Sequence, residues 1–394
     1  SASLEKQTAK LNELSGALEE AGVNTDDLSH SSEQLAGKID TLKKKQGEAA
    51  DKAMTFGDKA GQAFNQVHEA IVAAGIAVAL KEIYEYFASC AQASMDFESA
   101  ITGVAKTTDL TDEELAAMSD SIKALSTEIP ATTEEIAAVT EAAGQLGIQK
   151  DALLDFTEIM TMLGTATNMT ADEAATSLAR FANITGMATD NYGRLGSVIV
   201  DLGNNFATTE SEIVAMGTRL ASAGKLAGLT EPEIMALAAA MSSVGIEAEA
   251  GGTAMTQTLN AIEKAVAKGG DDLTKFARIA GMSSEEFSSA WKNDAMSALT
   301  SFIGGLGKLD EQGESTVLVL EDLGLTGIRQ SNMLKALGLA ADQMTGAVNT
   351  ANTAWQQNTA LTNEANKRYA TAQSRLTMMQ NAYNNLKVAI GDAY

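Results

Sequence analysis

Few residues in the sequence could perform catalysis or bind a metal. The 394-residue chain has one cysteine, Cys90, and two histidines, His30 and His68. One thiol excludes an intrachain disulfide and a cysteine-based zinc site, because either requires at least two. Neither histidine lies close in sequence to Cys90 or to a serine in a nucleophile-elbow motif, so a hydrolase triad has no support. We expect Cys90 to be a small, buried, apolar residue.

Glycine and carboxylate motifs point to structure rather than to nucleotide chemistry. No Gly-Lys dipeptide is followed by Ser or Thr, so the P-loop, whose hydroxyl binds magnesium, is absent. Three glycine pairs separate helical patterns, and we predict turns there: Gly251-Gly252, Gly269-Gly270 and Gly304-Gly305. The acidic pairs Asp271-Asp272 and Glu285-Glu286 fit first turns of helices, where carboxylates favour the helix dipole. We therefore predict no enzymatic activity, no cofactor and no metal.

The composition predicts an all-α protein. Only 2 residues are proline, aromatic residues make up 5% of the chain, and β-branched runs are rare. Such a chain, rich in Ala, Leu, Glu, Gln and Met, has the residues that favour helices over sheets. Hydrophobic residues amount to 45%, which is enough for a folded core.

The charge of the chain is strongly negative and unevenly placed. Lys and Arg number 28 against 52 Asp and Glu, a formal net charge of -24. Residues 91–260 hold 24 acidic and 7 basic residues, a net charge of -17. Binding to phosphate backbones or to an anionic membrane needs basic clusters, so we expect no specific nucleic-acid binding. The acidic excess is either an ordinary solvated face or a surface that repels something negative.

The middle of the chain, residues 95–340, repeats one helix-start motif. In the capping box, a Ser or Thr hydroxyl accepts from the third amide of the helix, and a Glu side chain accepts from the amide of that Ser or Thr. Looser versions begin at Thr170 and Ser283, and glycines follow several of the predicted helices. We predict a compact core domain of many short capped helices. The four clearest boxes are Thr111 with Glu114, Thr132 with Glu135, Thr209 with Glu212 and Thr230 with Glu233.

Two heptad-patterned segments flank this core. Residues 1–94 show apolar spacings of four and three, which predict a helical, coiled-coil arm. The apolar run 70–80 spans only about half of a bilayer core as a helix, so we expect a buried helix. A membrane-active element is the alternative for this run.

Residues 341–394 predict a long C-terminal helix with a heptad seam. The stripe has Tyr369, Leu376, Tyr383 and Ile390 at one heptad position. A heptad seam needs a partner helix, which is either another copy of the chain or the core domain itself. The sequence begins with Ser1 and ends while the helical pattern still runs, so we expect a fragment of a longer chain.

Ordered motifs across residues 95 to 340 resemble the conserved helical core of bacteriophage tail tape measure proteins, a group of phage-related minor tail proteins. The most specific block is Met241–Ala254, which reads MSSVGIEAEAGGTA. The others are Met95–Glu98, Thr132–Ala137 with Ala143–Ile148, Asp172–Ala175, Asp201–Asn205 with Thr209–Ile213, and Leu323–Arg329. Their order and spacing together carry the resemblance.

The resemblance implies a structural protein of the tail lumen that is made in the host cytoplasm. Its length would set the tail length, tail tube subunits would assemble around it with tail assembly chaperones, and it would leave ahead of the genome. Baseplate or tail tip proteins would be further partners. Some members carry peptidoglycan-degrading domains, but this sequence shows no such site. A helical effector or toxin module delivered by an injection apparatus is the alternative function.

Overall fold

The computed structural model describes residues 77–393, except for the side chains of residues 77–84 and Asp310. Residues 1–76 of the predicted coiled-coil arm, both histidines and most of the apolar run 70–80 therefore lie outside the described residues, whereas residues 77–94 of the arm are helical. Within the described part, the chain forms seventeen α-helices and no β-strand, which confirms the predicted all-α class.

Most of the helices are short, and they follow one another closely. Their bounds are α1 Ala77–Thr107, α2 Asp112–Glu128, α3 Thr133–Gln145, α4 Leu153–Ala166, α5 Ala171–Thr185, α6 Tyr192–Asn205, α7 Glu210–Leu226, α8 Glu231–Ser243, α9 Ala248–Lys268, α10 Asp271–Ile279, α11 Ser284–Asn293, α12 Ala295–Lys308, α13 Thr316–Asp322, α14 Ile328–Leu339, α15 Ala341–Gln357, α16 Ala360–Tyr369 and α17 Ala372–Gly391. Short 3-10 turns lie at Lys150–Ala152, Thr189–Asn191 and Asp310–Gln312.

The chain divides into two compact units that are not contiguous in sequence. Among the described residues, the first unit contains residues 77–106, 111–137 and 375–393. The second contains residues 107–110 and 138–374. The division into an N-terminal arm, a core of residues 95–340 and a C-terminal helix stays a prediction.

The first unit is held together by α1, α2 and α17. Cys90 of α1 is fully buried against Ile390 of α17, as expected for a small apolar cysteine. Asn381 of α17 is also buried, and its amide nitrogen donates to the carbonyl oxygens of Ser126 in the last turn of α2 (2.8 Å) and of Ala131 in the loop that follows (2.7 Å). The two bonds thus give partners to carbonyls at and just beyond the C-terminus of α2, where intrahelical amides end.

The second unit is built around α8, whose residues from Ile234 to Met241 are all buried. A helix that is apolar on every side belongs inside a core, and α8 packs against α6, α7 and α15. Its many alanines allow these neighbours to approach closely. Aromatic side chains, including Phe156, Phe276 and Phe302, fill other parts of the same unit.

The structure corrects two of the three predicted glycine turns. Gly269 and Gly270 do form a turn, with φ angles of 69° and 75°. Gly251-Gly252 lies inside α9, and Gly304-Gly305 lies inside α12. These helical glycines allow close packing: a Cβ at Gly305 would overlap the carbonyl oxygen of Ile279 in α10. Gly252 likewise lies against Arg219 of α7.

The C-terminal segment is three helices rather than the single long helix that the heptad pattern predicts. Asn358 ends α15 in the left-handed conformation, with φ 51°. Its side-chain oxygen accepts from the Ser197 hydroxyl (3.2 Å), and Arg194 donates to the carbonyl oxygen of Trp355 (2.7 Å). A second break precedes α17, where the Thr371 hydroxyl accepts from a backbone amide three residues on (3.2 Å).

Candidate assembly surfaces

The described residues contain no grouping of three or more His, Cys, Asp and Glu side chains that could hold a metal ion. Cys90 has no access to solvent, and burial raises the pKa of its thiol. A buried thiol with a raised pKa is a poor nucleophile, because the thiolate is the reactive form.

The predicted capping residues lie at helix starts, where each glutamate carboxylate accepts from the backbone amide of the preceding Thr. These bonds measure 2.9 Å from Thr111 to Glu114, 2.8 Å from Thr132 to Glu135, 3.0 Å from Thr209 to Glu212 and 2.8 Å from Thr230 to Glu233. In the first three, the Thr hydroxyl also accepts from the Glu amide, at 3.2–3.3 Å. The residues thus fix where α2, α3, α7 and α8 begin.

The looser boxes at Thr170 and Ser283 have the same reciprocal bonds, at the starts of α5 and α11. Hydrogen bonding lowers the pKa of the carboxyl groups of Glu173, Glu212 and Glu286. The backbone amide of the capping residue is the largest cause in each case, followed by its hydroxyl. The bonds stabilise the ionised carboxylate, which the dipole at a helix N-terminus also favours.

The four seam residues do not lie on one continuous helix. Tyr369 is the last residue of α16 and belongs to the second unit, where burial raises the pKa of its phenol. Leu376, Tyr383 and Ile390 all lie on α17. Ile390 is buried within the first unit, whereas Leu376 is 42% exposed.

One face of α17 therefore keeps exposed apolar side chains although the helix also packs within its own unit. This exposed α17 face consists of Leu376, Met379 (64% exposed) and Tyr383 (38% exposed). The ring of Tyr383 lies 6.4 Å from that of Tyr86, so it contacts α1 as well. The face has the spacing for a partner helix, and whether a second copy binds there stays a prediction.

Sequence reasoning missed the two asparagines that fasten α17 to α2. Besides Asn381, Asn385 donates to the carbonyl oxygen of Lys123 (2.9 Å) and to the Ser126 hydroxyl (3.0 Å). The signal was a cluster of asparagines, Asn381, Asn384 and Asn385, which lies off the apolar stripe of α17. Such amides need hydrogen-bond partners when they are buried, so a cluster of them can mark a second packed face of a helix.

The acidic residues of the range 91–260 all reach the solvent to some extent. None of the 24 carboxylate side chains is buried. Ion pairs within the range include Lys123 with Asp120 (3.7 Å) and Lys225 with Glu231 (3.2 Å), both at the surface. With only 7 cationic side chains in the range, the acidic surface keeps a large negative excess.

The described part of the chain is thus all-helical and carries a large acidic surface. The family model for phage-related minor tail proteins matches residues 119–320, just over half of the chain. The chain belongs to this family, which makes it a virion-associated structural component of a phage tail.

Other comparisons add nothing to this assignment. No curated protein and no solved structure matches the chain. Among the described helices, none combines the length and the apolar character required to cross a bilayer.

Proposed function

We propose that this chain is part of a tape measure protein, which sets the length of the tail and supports assembly of the tail tube. The observation that carries the proposal is the family match over residues 119–320. The helical build supports it in physical terms. An α-helix advances about 1.5 Å per residue, so a helical chain converts a number of residues into a fixed length.

The acidic surface supports a second part of the proposal. The protein would occupy the tail lumen through which the DNA must later pass, and it would leave ahead of the genome. Double-stranded DNA carries about one negative charge per 1.7 Å of its axis. A surface with the net charge of residues 91–260 would repel it rather than hold it.

The proposed partners follow from the same role. Tail tube subunits would polymerise around the protein with tail assembly chaperones in the host cytoplasm, and baseplate or tail tip proteins would hold one end. The exposed α17 face is the surface that we propose for binding a further copy. It presents Leu376, Met379 and Tyr383, spaced three and four residues apart on one helix.

Removal of the gene tests this role against that of a delivered effector. We expect phage lacking the protein to form no tails, or tails of uncontrolled length, and a plasmid copy to restore the normal length. Electron microscopy of lysates gives the length distribution. An effector is dispensable for assembly, so tails of normal length without the protein, together with toxicity of the expressed chain, would contradict the proposal.

A further inference from the structure

Helices α1 and α17 lie side by side in the first unit and run in the same direction. Near the start of the contact, the rings of Tyr86 and Tyr383 are 6.4 Å apart. Further along, the Ser94 hydroxyl donates to the Asp392 carboxylate at 2.5 Å. The contact thus advances by eight residues on α1 and by nine on α17, as two parallel helices of equal rise require.

The packing between these two helices is close. Gly391 of α17 lies directly on Cys90 of α1, where a Cβ would overlap the Cys90 carbonyl oxygen. Cys90 and Ile390 form a buried pair, with Tyr86 and Leu386 packed around it. Asn381 and Asn385 fasten the other side of α17 to α2. The position of α17 along α1 is therefore fixed by apolar contacts and by hydrogen bonds.

The chain consequently returns, at α17, to the same position along the axis of α1 from which it departed. Ser94 and Asp392 are 298 positions apart in sequence, yet their side chains are hydrogen-bonded. The same number of residues in one continuous helix would span about 450 Å. In the folded chain, the advance along the α1 direction is close to zero, and α17 continues in the direction that α1 had.

We propose that residues 87–383 add nothing to the tail length that this protein sets. Tyr383 of α17 lies beside Tyr86 of α1, and α17 continues from there in the direction of α1. This inference rests on the proposed function. The length of the tail would then follow only the helical segments before Tyr86 and after Tyr383. The folded part between them would serve assembly contacts and present the acidic surface without changing the measured distance.

A crosslink between the two helices tests whether this arrangement persists in the tail. The variant carries Ser94→Cys and Asp392→Cys with Cys90→Ala, so that the two introduced thiols are the only ones in the described residues. The control carries Ser94→Cys and Gln380→Cys in the same background. Its thiols lie on the same helices but about 18 Å apart along the axis.

Purified protein and purified tails are treated with a short bismaleimide, and the linked peptide pair is quantified by mass spectrometry. We expect the Ser94/Asp392 variant to crosslink to the same extent in tails as in the free protein, and the control pair to crosslink in neither. A link that forms in the free protein but is lost in tails would overturn the inference and leave the proposed function intact. Tails that contain no copy of the protein would contradict the proposed function, and the inference with it.

Deletion of residues 87–383 from the complete gene provides the quantitative measurement. The junction places Asn384 directly after Tyr86 and keeps the helical direction. We expect tails of unchanged length. Tails shortened by about 450 Å would show that this part is drawn out into a helix during assembly and would overturn the inference. If the deleted chain forms no tails, the crosslink decides.

Discussion

At the scale of single residues, Asn381 has the most demanding role in the first unit. Its side chain is buried, and one amide group serves two backbone carbonyls, those of Ser126 and Ala131. A buried carbonyl without a donor loses its hydrogen bonds to water and makes no hydrogen bond in their place. The asparagine thus gives both carbonyls a hydrogen-bond donor, and it also fixes the register between α17 and α2.

Asn381→Ala should therefore destabilise the first unit. Leaving buried carbonyls without a donor costs about 1–3 kcal/mol. The measurement is the free energy of unfolding from urea titration, followed through hydrogen exchange of the backbone amides of this unit. Gln380→Ala, at the neighbouring exposed position of the same helix, is the control and should change stability little. Equal effects of the two substitutions would contradict the role assigned to Asn381.

The capping glutamates predict a pH dependence with a definite sign. Because the folded-state pKa of Glu173, Glu212 and Glu286 is lowered, their contribution is fully present above the unfolded value of about 4.3. It is lost as pH falls through the lower folded pKa. Glutamine can make the same return bond without titrating in this range.

The triple variant Glu173→Gln, Glu212→Gln and Glu286→Gln should therefore lose less stability than the parent between about pH 5 and pH 3. Thermal unfolding at closely spaced pH values measures this difference. Parallel curves for the two proteins across this range would show that the boxes do not contribute through ionised carboxylates.

At the scale of elements, the sequence predicts those helix boundaries that depend only on neighbouring residues. The starts of α2, α3, α7 and α8 follow from Thr-x-x-Glu boxes, because both partners of the bond lie within one turn. The glycine pair inside α12 suggests a turn in the sequence, and this prediction is wrong. Gly305 lies where α10 packs closely against α12, a contact that the local sequence does not reveal. The break before α17 was missed because Thr371 caps with no glutamate three residues later.

The two neighbouring glycines of α12 give a matched pair of substitutions. Gly305→Ala would place a Cβ on the carbonyl oxygen of Ile279, and overpacking of this kind typically costs about 1–3 kcal/mol. Gly304→Ala meets its nearest atom at 3.9 Å, so it should stabilise the helix by up to about 1 kcal/mol. Thermal unfolding of the two variants should give melting temperatures shifted in opposite directions. Shifts of the same sign and size would contradict the close contact.

At the scale of the whole molecule, charge and family matter more than any single site. The net charge of -24 and its concentration in residues 91–260 are visible in the sequence, as is the resemblance to tail proteins. The division into two non-contiguous units is not visible there. It depends on Asn381, Asn385 and Ile390 finding partners about 250 or more positions away, and no local pattern encodes such pairing.

Neutralising part of the acidic surface should increase retention of DNA at low salt. The substitutions are isosteric amides at eight exposed positions outside the capping boxes: Glu98, Asp109, Glu128, Asp151, Asp155, Asp190, Glu247 and Glu249. Filter binding to double-stranded DNA measures the effect, which should disappear as salt screens the charges. Unchanged retention at low salt would show that the surface is an ordinary solvated face.

The most direct test of whether this protein sets tail length is to lengthen its helical pattern before Tyr86 and to measure the tails. Residues 35–62, four heptads of the N-terminal segment, are duplicated in the complete gene, and tails are measured by electron microscopy. We predict an increase of about 42 Å for one added copy and twice that for two. Tails that assemble with the added residues but keep the parental length would contradict the proposal that this protein sets tail length.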